Sequence, residues 1–142
     1  MALTREEREQ FLGEPHIAAL AVDAGEGGRA PLTVPIWYQY APGGDIWIMT
    51  GRDSRKAALI ARAGRFSLMV DRVTPTVRYV SVEGPVIETV PATREQLVEI
   101  SARYLPAEKV DVYVDFAWKE HGEQVVIHMR PQRWISSDLG EG

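Results

Sequence analysis

Residues 48–60 hold the side chains whose chemistry is easiest to interpret, because an apolar strand pattern runs through a glycine into a helix that begins with hydroxyl and basic side chains. From Arg52 to Arg65 there are five basic residues and one acidic residue, in a chain whose net charge is -4. The free amides at a helix N-terminus also favour anions. We call residues 50–56 the cationic turn. Its composition predicts a site for one anionic group, most simply a phosphate, although a solvated basic helix face would have the same composition.

The segments around the cationic turn are mostly strand-like. Apolar runs, alternating or continuous, predict strands at 16–22, 32–40, 46–50, 65–71, 77–88, 123–129 and 133–136. Pro35 cannot donate to a strand ladder, so it predicts an edge, a bulge or a kink, and Gly84 followed by proline predicts a bulge or bend. Strands without regular βαβ alternation favour an antiparallel barrel or sandwich with helices at its ends.

Helix starts are indicated by capping residues. Thr4 and Thr93 are each followed three positions later by Glu or Gln, the pattern of a capping box. Asp53 or Ser54 is the expected cap of the helix after the cationic turn. Residues 107–122 have the weakest pattern of any segment, and we interpret them as a second helix.

Composition bounds the class of protein. At 142 residues, a single domain spanning 1–142 is expected. No segment is apolar for long enough to cross a bilayer, and the first seven residues carry acids without an apolar run, so we expect a cytoplasmic protein with no membrane partner. The absence of cysteine excludes disulfides and thiolate sites. A pI near 5.4 with no long basic run argues against nucleic acid as a partner.

No constellation for acid–base, nucleophilic or metal catalysis is visible. His16, His121 and His128 lie in three separate segments without metal-ligand spacing, so each is expected to be structural or exposed. There is no G-x-S-x-G, no Walker loop and no strand-linked G-x-G-x-x-G. We therefore expect no catalytic side chain and no metal site.

Seven segments together resemble the split β-barrel flavoproteins of the pyridoxamine 5′-phosphate oxidase-like superfamily, and more narrowly its deazaflavin (F-420)- or FMN-dependent oxidoreductases. These segments are 16–22, 35–37, 46–50, 51–56, 65–70, 79–84 and 125–134. They cover nearly the whole chain in the family's order. The resemblance implies a mainly β fold with peripheral helices, a split antiparallel β-barrel of the FMN-binding type, and a homodimer with two cofactor sites at the subunit interface.

The resemblance also assigns residues to the cofactor. The phosphate would be held by the side chains of the cationic turn, namely Thr50, Ser54, Arg55 and Lys56, with Arg52 as a further candidate. The ring would lie against barrel strands, beside Pro35, Ile36, Trp37, Met49 and Tyr79. Trp134 would approach the ring bound by the partner subunit.

A dimer is also expected from the strands themselves. The runs 17–22 and 46–49 are apolar on both faces, which is more than a small closed barrel can bury inside. Their outer faces are therefore expected to need a partner surface.

Two cofactors fit the resemblance, deazaflavin coenzyme F-420 and FMN. The deazaflavin is preferred, because its longer anionic tail would benefit from Arg52, Arg62 and Arg65 and because the spacing Thr-Gly-x-x-Ser-x-Lys is closer to the deazaflavin-using subfamily. True pyridoxamine-phosphate oxidases are longer and carry substrate-phosphate residues that have no counterpart here. Oxidation of pyridoxamine phosphate is therefore not expected.

Three functions from different classes remain open. The first is a reductase that passes hydride to a small organic electron acceptor such as an enone, quinone or tetrapyrrole, with the hydride chemistry supplied by the cofactor. The second is a flavin- or deazaflavin-binding carrier without its own substrate. The third is a cofactor-free dimer that keeps the barrel as an interaction module.

Overall fold

The computed structural model describes residues 1–140, and within them the chain forms eight strands and four helices. The strands are β1 Ala18–Val22, β2 Leu32–Ile36, β3 Tyr38–Gln39, β4 Ile46–Gly51, β5 Arg65–Arg72, β6 Val77–Pro91, β7 Gln124–Met129 and β8 Arg133–Gly140. The helices are α1 Arg5–Gly13, α2 Arg55–Ala63, α3 Arg94–Tyr104 and α4 Ala107–Glu120. The predicted mainly β class with peripheral helices is confirmed. The single domain predicted over residues 1–142 includes 141 and 142, which lie outside the described residues, and it stays a prediction.

All strand pairs are antiparallel, in the order β2-β1-β5-β6-β7-β4-β3, with β8 on the free side of β6. Only Trp37 separates β2 from β3, although these strands stand at opposite ends of the order. The sheet therefore curls back on itself as a split barrel. Pro35 lies in the edge strand β2, as its missing N–H requires. Within residues 1–140, no helix is long and apolar enough to span a membrane.

The two apolar faces of β4 are buried against different layers. Ile46 and Ile48 are fully buried in the barrel core, whereas Trp47 joins a second cluster with Val126 of β7 and with helices α3 and α4. The expectation that the outer face of 46–49 needs a partner subunit is therefore wrong. The α3–α4 hairpin of the same chain covers it.

Helix α1 plugs one end of the barrel, with Phe11 and Leu12 buried in the core. The predicted capping box is present, since Thr4 and Glu7 bond each other's backbone amides at 2.9 and 3.2 Å. Arg103 of α3 caps the C-terminal end of α1. Its guanidinium donates to the carbonyls of Gly13 at 3.0 Å and of Glu14 at 2.8 Å. A cation at a helix C-terminus also opposes the helix dipole.

Gly84 marks the point where β6 passes from one half of the sheet to the other. Before it β6 pairs with β8, and after it β6 pairs with β7. The connection between those two strands crosses directly over Gly84, so a Cβ there would lie 1.8 Å from the carbonyl oxygen of Arg130. The predicted irregularity follows, as a register shift between Val86 and Glu88.

We predict that Gly84→Ala lowers the free energy of unfolding by more than about 2 kcal/mol, because the obstructing atom belongs to the backbone and cannot rotate away. The matched control is Gly27→Ala, where the added methyl group meets nothing within 4 Å. It should change stability by less than about 0.5 kcal/mol. Urea denaturation measures both variants, and equal midpoints would contradict this reading of the crossing.

Asp138 ties the last strand to its neighbours. Its carboxylate accepts hydrogen bonds from the Gly140 amide at 2.8 Å, the Thr76 hydroxyl at 2.8 Å and the Arg78 guanidinium at 2.9 Å. The bond from the Gly140 amide is the largest cause, followed by that from Thr76, and together with Arg78 they lower the pKa of Asp138 from 3.8 to about 2. The ionised form is therefore favoured in the folded chain.

We predict that Asp138→Asn destabilises the protein at pH 7 and that this difference from the wild type disappears in acid. The folded pKa lies below the unfolded value, so the carboxylate stabilises the fold above pH 3.8, and this contribution is lost as the pH falls toward 2. Urea midpoints measured from pH 7 to pH 2 follow the change. A constant difference over this range would show that the carboxylate charge is not responsible.

Candidate functional site

The strand–turn–helix predicted from the sequence is formed by β4, residues 52–54 and α2. Ser54 is the N-cap of α2, and its Oγ accepts a hydrogen bond from the Ala57 amide at 3.1 Å. The first intrahelical bond joins the Ala58 amide to the Ser54 carbonyl. The amides of Arg55 and Lys56 therefore precede the intrahelical ladder and have no carbonyl to bond within α2.

Two hydroxyl groups meet at this turn. Thr50 Oγ1 lies 3.0 Å from Ser54 Oγ, and Thr50 is only 5% exposed. One hydroxyl donates to the other, and each hydroxyl carries a single hydrogen. The pair therefore keeps one O–H that can donate to a ligand, beside the two free amides.

Lys56 supplies the positive charge at the turn. No acidic residue lies in the first turn of α2, and within residues 1–140 Lys56 takes part in no ion pair. An ammonium group, one free hydroxyl hydrogen and two free amides form a donor set of the kind that binds phosphate.

Lys56 is among the residues that line a groove of about 400 Å³, which we call the α2 groove. It runs between the edge of the barrel and the α3–α4 hairpin. Its lining consists of Ile17, Pro35, Ile36, Trp37, Met49, Thr50, Gly51, Lys56, Leu97, Ile100, Tyr113, His121 and Gln124. Most of the other lining side chains are apolar or aromatic, so the groove suits a flat ring joined to an anionic group.

Trp37 is held in the wall of the groove by two tyrosines. Its ring stacks on Tyr104 with centroids 4.8 Å apart and an interplanar angle of 19°, and it lies 5.7 Å from the ring of Tyr113. The Tyr104 hydroxyl accepts a hydrogen bond from the Tyr38 amide at 3.1 Å and lies 2.8 Å from the His16 carbonyl, to which it donates. Aromatic stacking and these backbone bonds fix the indole against the end of β2.

The structure brings together most of the residues predicted to bind a cofactor. Six of them line the α2 groove: Pro35, Ile36, Trp37, Met49, Thr50 and Lys56. Ser54 joins them through its contact with Thr50. Arg55, which is exposed, does not line the groove.

Arg52 does not line the α2 groove. Its guanidinium contacts the carboxylate of Glu123 and lies 3.7 Å from that of Asp53. The Arg52 amide also bonds the Glu123 carbonyl at 2.9 Å, which extends the β4–β7 pairing and brings the two charged side chains together. The charge of Arg52 is therefore neutralised by its own chain.

Tyr79 and Trp134 lie outside the α2 groove of the same chain. Tyr79 pairs with Asp71 and Ser137 on β5 and β8. Trp134 lines a different pocket, where the guanidinium carbon of Arg8 lies 4.7 Å from the centroid of the Trp134 ring. The position of Tyr79 beside the cofactor ring, and the approach of Trp134 to the ring bound by the partner subunit, both stay predictions.

Several residues that line the α2 groove have no pattern in the sequence that assigns them to a binding site. Leu97, Ile100 and Tyr113 come from the α3–α4 hairpin, and their helical spacing indicates only a buried face. His121 and Gln124 follow α4, where the Gln124 side chain donates to the His121 carbonyl at 2.9 Å. Within residues 1–140, no three His, Asp or Glu side chains are arranged to hold a metal ion.

Comparison with known proteins agrees with this geometry. The family model of pyridoxamine 5′-phosphate oxidase matches residues 4–138. A search of curated proteins finds no significant match.

Among solved structures, a conserved hypothetical protein of Mycobacterium tuberculosis is similar at 26% identity and a TM-score of 0.71, over 96% of this chain and 85% of that one. An F420 reductase is similar at 23% identity and a TM-score of 0.68, over 89% of this chain and 94% of that one. An FAD-binding protein of Mesorhizobium loti is similar at 15% identity and a TM-score of 0.62, over 97% of this chain and 95% of that one. With nearly its whole length matched by the family model and the same fold in these structures, the chain belongs to the pyridoxamine 5′-phosphate oxidase family.

Proposed function

We propose that the protein binds a phosphate-bearing flavin or deazaflavin in the α2 groove, as a homodimer, and acts as a reductase that passes hydride to a small organic acceptor. The observation that carries this proposal is the composition of the groove. Lys56 and Thr50 line the groove together with Trp37 and mainly apolar side chains, and the Thr50–Ser54 hydroxyl pair and the free amides at the start of α2 adjoin Lys56. A ribityl phosphate joined to a flat ring has the same two-part chemistry.

The residues of the groove would bind and orient the cofactor and exclude water from it. Lys56 and the Thr50–Ser54 pair would hold the phosphate, while Trp37, Pro35 and Met49 would lie against the ring. A bound flavin or deazaflavin supplies the hydride chemistry itself. None of the residues that line the groove is acidic. This fits a protein that binds and orients the cofactor and leaves the hydride chemistry to it.

The solved structures support the class of cofactor. One of the similar proteins is an F420 reductase and another binds FAD. Both have the fold of this chain over most of their length, and a cofactor site in this fold makes a cofactor-free interaction module the weaker hypothesis.

The choice between FMN and the deazaflavin depends on the tail beyond the phosphate. Of the cations expected to bind an anionic tail, Arg52 contacts Glu123, and Arg65 lies 3.7 Å from the Glu83 carboxylate and donates to Gln132. These pairings leave less free charge for a tail than the sequence suggests. We therefore expect coenzyme F-420 and FMN to bind with affinities within about tenfold of each other, a difference of about 1.4 kcal/mol.

A shared site is supported by the outer face of the sheet. Strand pairing aligns Pro35, Ala19, Met69, Ser81 and Ile135 in one uncharged row across five strands. Met69 is 37% exposed and Ile135 is 66% exposed. Pro35 belongs both to this outer row and to the α2 groove. A second copy seated on the row would therefore border the groove.

Lys56→Ala should weaken FMN binding by about 1–3 kcal/mol, because a charge-assisted contact to the phosphate is lost. Ser54→Ala should weaken it over the same range and should also cost α2 about 1 kcal/mol of capping. Isothermal titration of each purified variant with FMN and with coenzyme F-420 measures the effect.

Lys109→Ala is the matched control, since Lys109 is an exposed helical lysine that does not line the α2 groove. It changes the net charge by the same amount and should leave both affinities unaltered. Unchanged affinity in Lys56→Ala and Ser54→Ala would mean that the phosphate is bound elsewhere. Turnover of a panel of enones, quinones and tetrapyrroles by the reduced complex separates a reductase from a carrier.

Met69→Glu should weaken the dimer by at least about 2 kcal/mol, because the charge would be buried in the outer row against its symmetry mate. Cofactor affinity should fall together with dimerisation if the site is shared. Val112→Glu on α4 places the same charge at an exposed apolar position outside the row and should change neither property. Sedimentation velocity and FMN titration measure the two quantities, and a Met69→Glu protein that stays dimeric would exclude this face as the interface.

A further inference from the structure

A second pocket of about 300 Å³ lies between α1, the β3–β4 turn and the start of β8. We call it the α1–β8 pocket. It lies beside Asp45, which precedes the first residue of β4, whereas the α2 groove begins at the last residues of that strand. The two share no lining residue, so the α1–β8 pocket is not an extension of the α2 groove.

Arg8 is the unusual residue of this pocket. Its guanidinium stacks 4.7 Å from the ring centroid of Trp134, and its Nε is buried without a hydrogen-bond partner. Within residues 1–140, the Arg8 side chain forms no ion pair. Only the Nε atom is closed to solvent, and the Arg8 side chain as a whole is half-buried, so the terminal amines of the guanidinium stay open to the pocket. A partly buried cation without a carboxylate partner in the chain favours an anion supplied from outside it.

One of the two carboxylates that line the pocket already has partners within the chain. Glu9 accepts a hydrogen bond from Arg5 Nε at 2.8 Å and another from the Tyr40 hydroxyl at 3.4 Å. The bond from Arg5 lowers the pKa of Glu9, so the pair remains ionic. Glu9 is thus held by Arg5 and Tyr40 rather than by Arg8.

The remaining lining residues indicate the charge and shape of the missing acceptor. Three arginines, Arg5, Arg8 and Arg130, face two carboxylates, those of Glu9 and Asp45, so one positive charge is unmatched. A singly charged carboxylate balances this pocket better than a phosphate dianion, which the two carboxylates would repel. The rings of Trp134 and Tyr40, 6.4 Å apart in an edge-to-face arrangement, provide walls for a flat body.

We propose that the α1–β8 pocket binds a small aromatic carboxylate, with Arg8 and Arg130 bonding the carboxylate and Trp134 contacting the ring. This pocket is separate from the α2 groove of the same chain, and the proposal does not depend on a cofactor bound in that groove. Arg–carboxylate pairs are short, geometrically specific and stronger than neutral hydrogen bonds.

The test uses benzoate as the probe and two-dimensional NMR of the full chain as the readout. The Arg8 Nε–H and the Trp134 indole N–H should both shift with benzoate along one saturable curve. Arg8→Lys removes the Nε–H signal while keeping the charge, and Trp134→Phe removes the indole signal, so the two variants assign the reporters. Arg8→Ala should weaken benzoate binding at least about tenfold, measured on the Trp134 indole.

Arg29→Ala is the control, since Arg29 is exposed and does not line the pocket. It should bind benzoate like the wild type. Because loss of the Arg8–Trp134 stack could unfold α1, Arg130→Ala is measured as well and should also weaken binding.

Three results would overturn the proposal. The first is the absence of any shift with benzoate, and the second is equal binding of the uncharged analogue benzamide. The third is movement of the same signals by FMN, which would assign the pocket to the cofactor. Inorganic phosphate should produce shifts only at much higher concentration than benzoate.

Discussion

Strand β6 is the element on which the rest of the molecule depends, because both halves of the sheet are built on it. Its first half pairs with β5 and β8, and its second half pairs with β7. The exchange of partners requires another backbone segment to cross β6 at van der Waals distance, and Gly84 is the residue that permits this. Strand β7 then pairs with β4 along its whole length, so the position of the cationic turn at the end of β4 follows from that crossing.

A polar contact joins the barrel plug to the α2 groove. Two consecutive residues of α3 make this contact. Arg103 donates to the carbonyls at the C-terminal end of α1, and Tyr104 stacks on Trp37 in the groove wall. Tyr38 completes the contact, because its hydroxyl donates to the Leu12 carbonyl at 2.5 Å, with the Glu14 carbonyl 3.1 Å away, while its ring lies 4.7 Å from the Arg103 guanidinium. Burial raises the pKa of Tyr38, which keeps the hydroxyl protonated and donating. The aromatic wall of the groove is therefore positioned by the same residues that hold α1 in the barrel.

The sequence predicts features that depend on neighbours along the chain. Ser54 and Gly64 bound α2 as their capping preferences require, and the Thr4 and Thr93 boxes form as expected, because each is a contact over three or four residues. Contacts between residues that are distant along the chain cannot be predicted in this way. Nothing near residue 52 indicates that Glu123 will neutralise Arg52, and nothing near residue 37 indicates that Tyr104 will stack on Trp37. Those contacts arise only once β4 has paired with β7 and α3 has packed against the sheet.

The same distinction changes the meaning of the basic segment between Arg52 and Arg65. Counted along the chain it is strongly positive, but in the structure its two terminal arginines lie against carboxylates from β6 and from the residue before β7. The charge that remains beside the groove is that of Lys56, next to amides that α2 leaves free and a hydroxyl pair with one unused hydrogen. A single ammonium supported by oriented dipoles in a partly buried groove attracts an anion more strongly than several solvated cations, because solvent screens the latter. Affinity for a phosphate at this turn is therefore expected to depend on the local geometry of Thr50, Ser54 and Lys56 and not on the net charge of the segment.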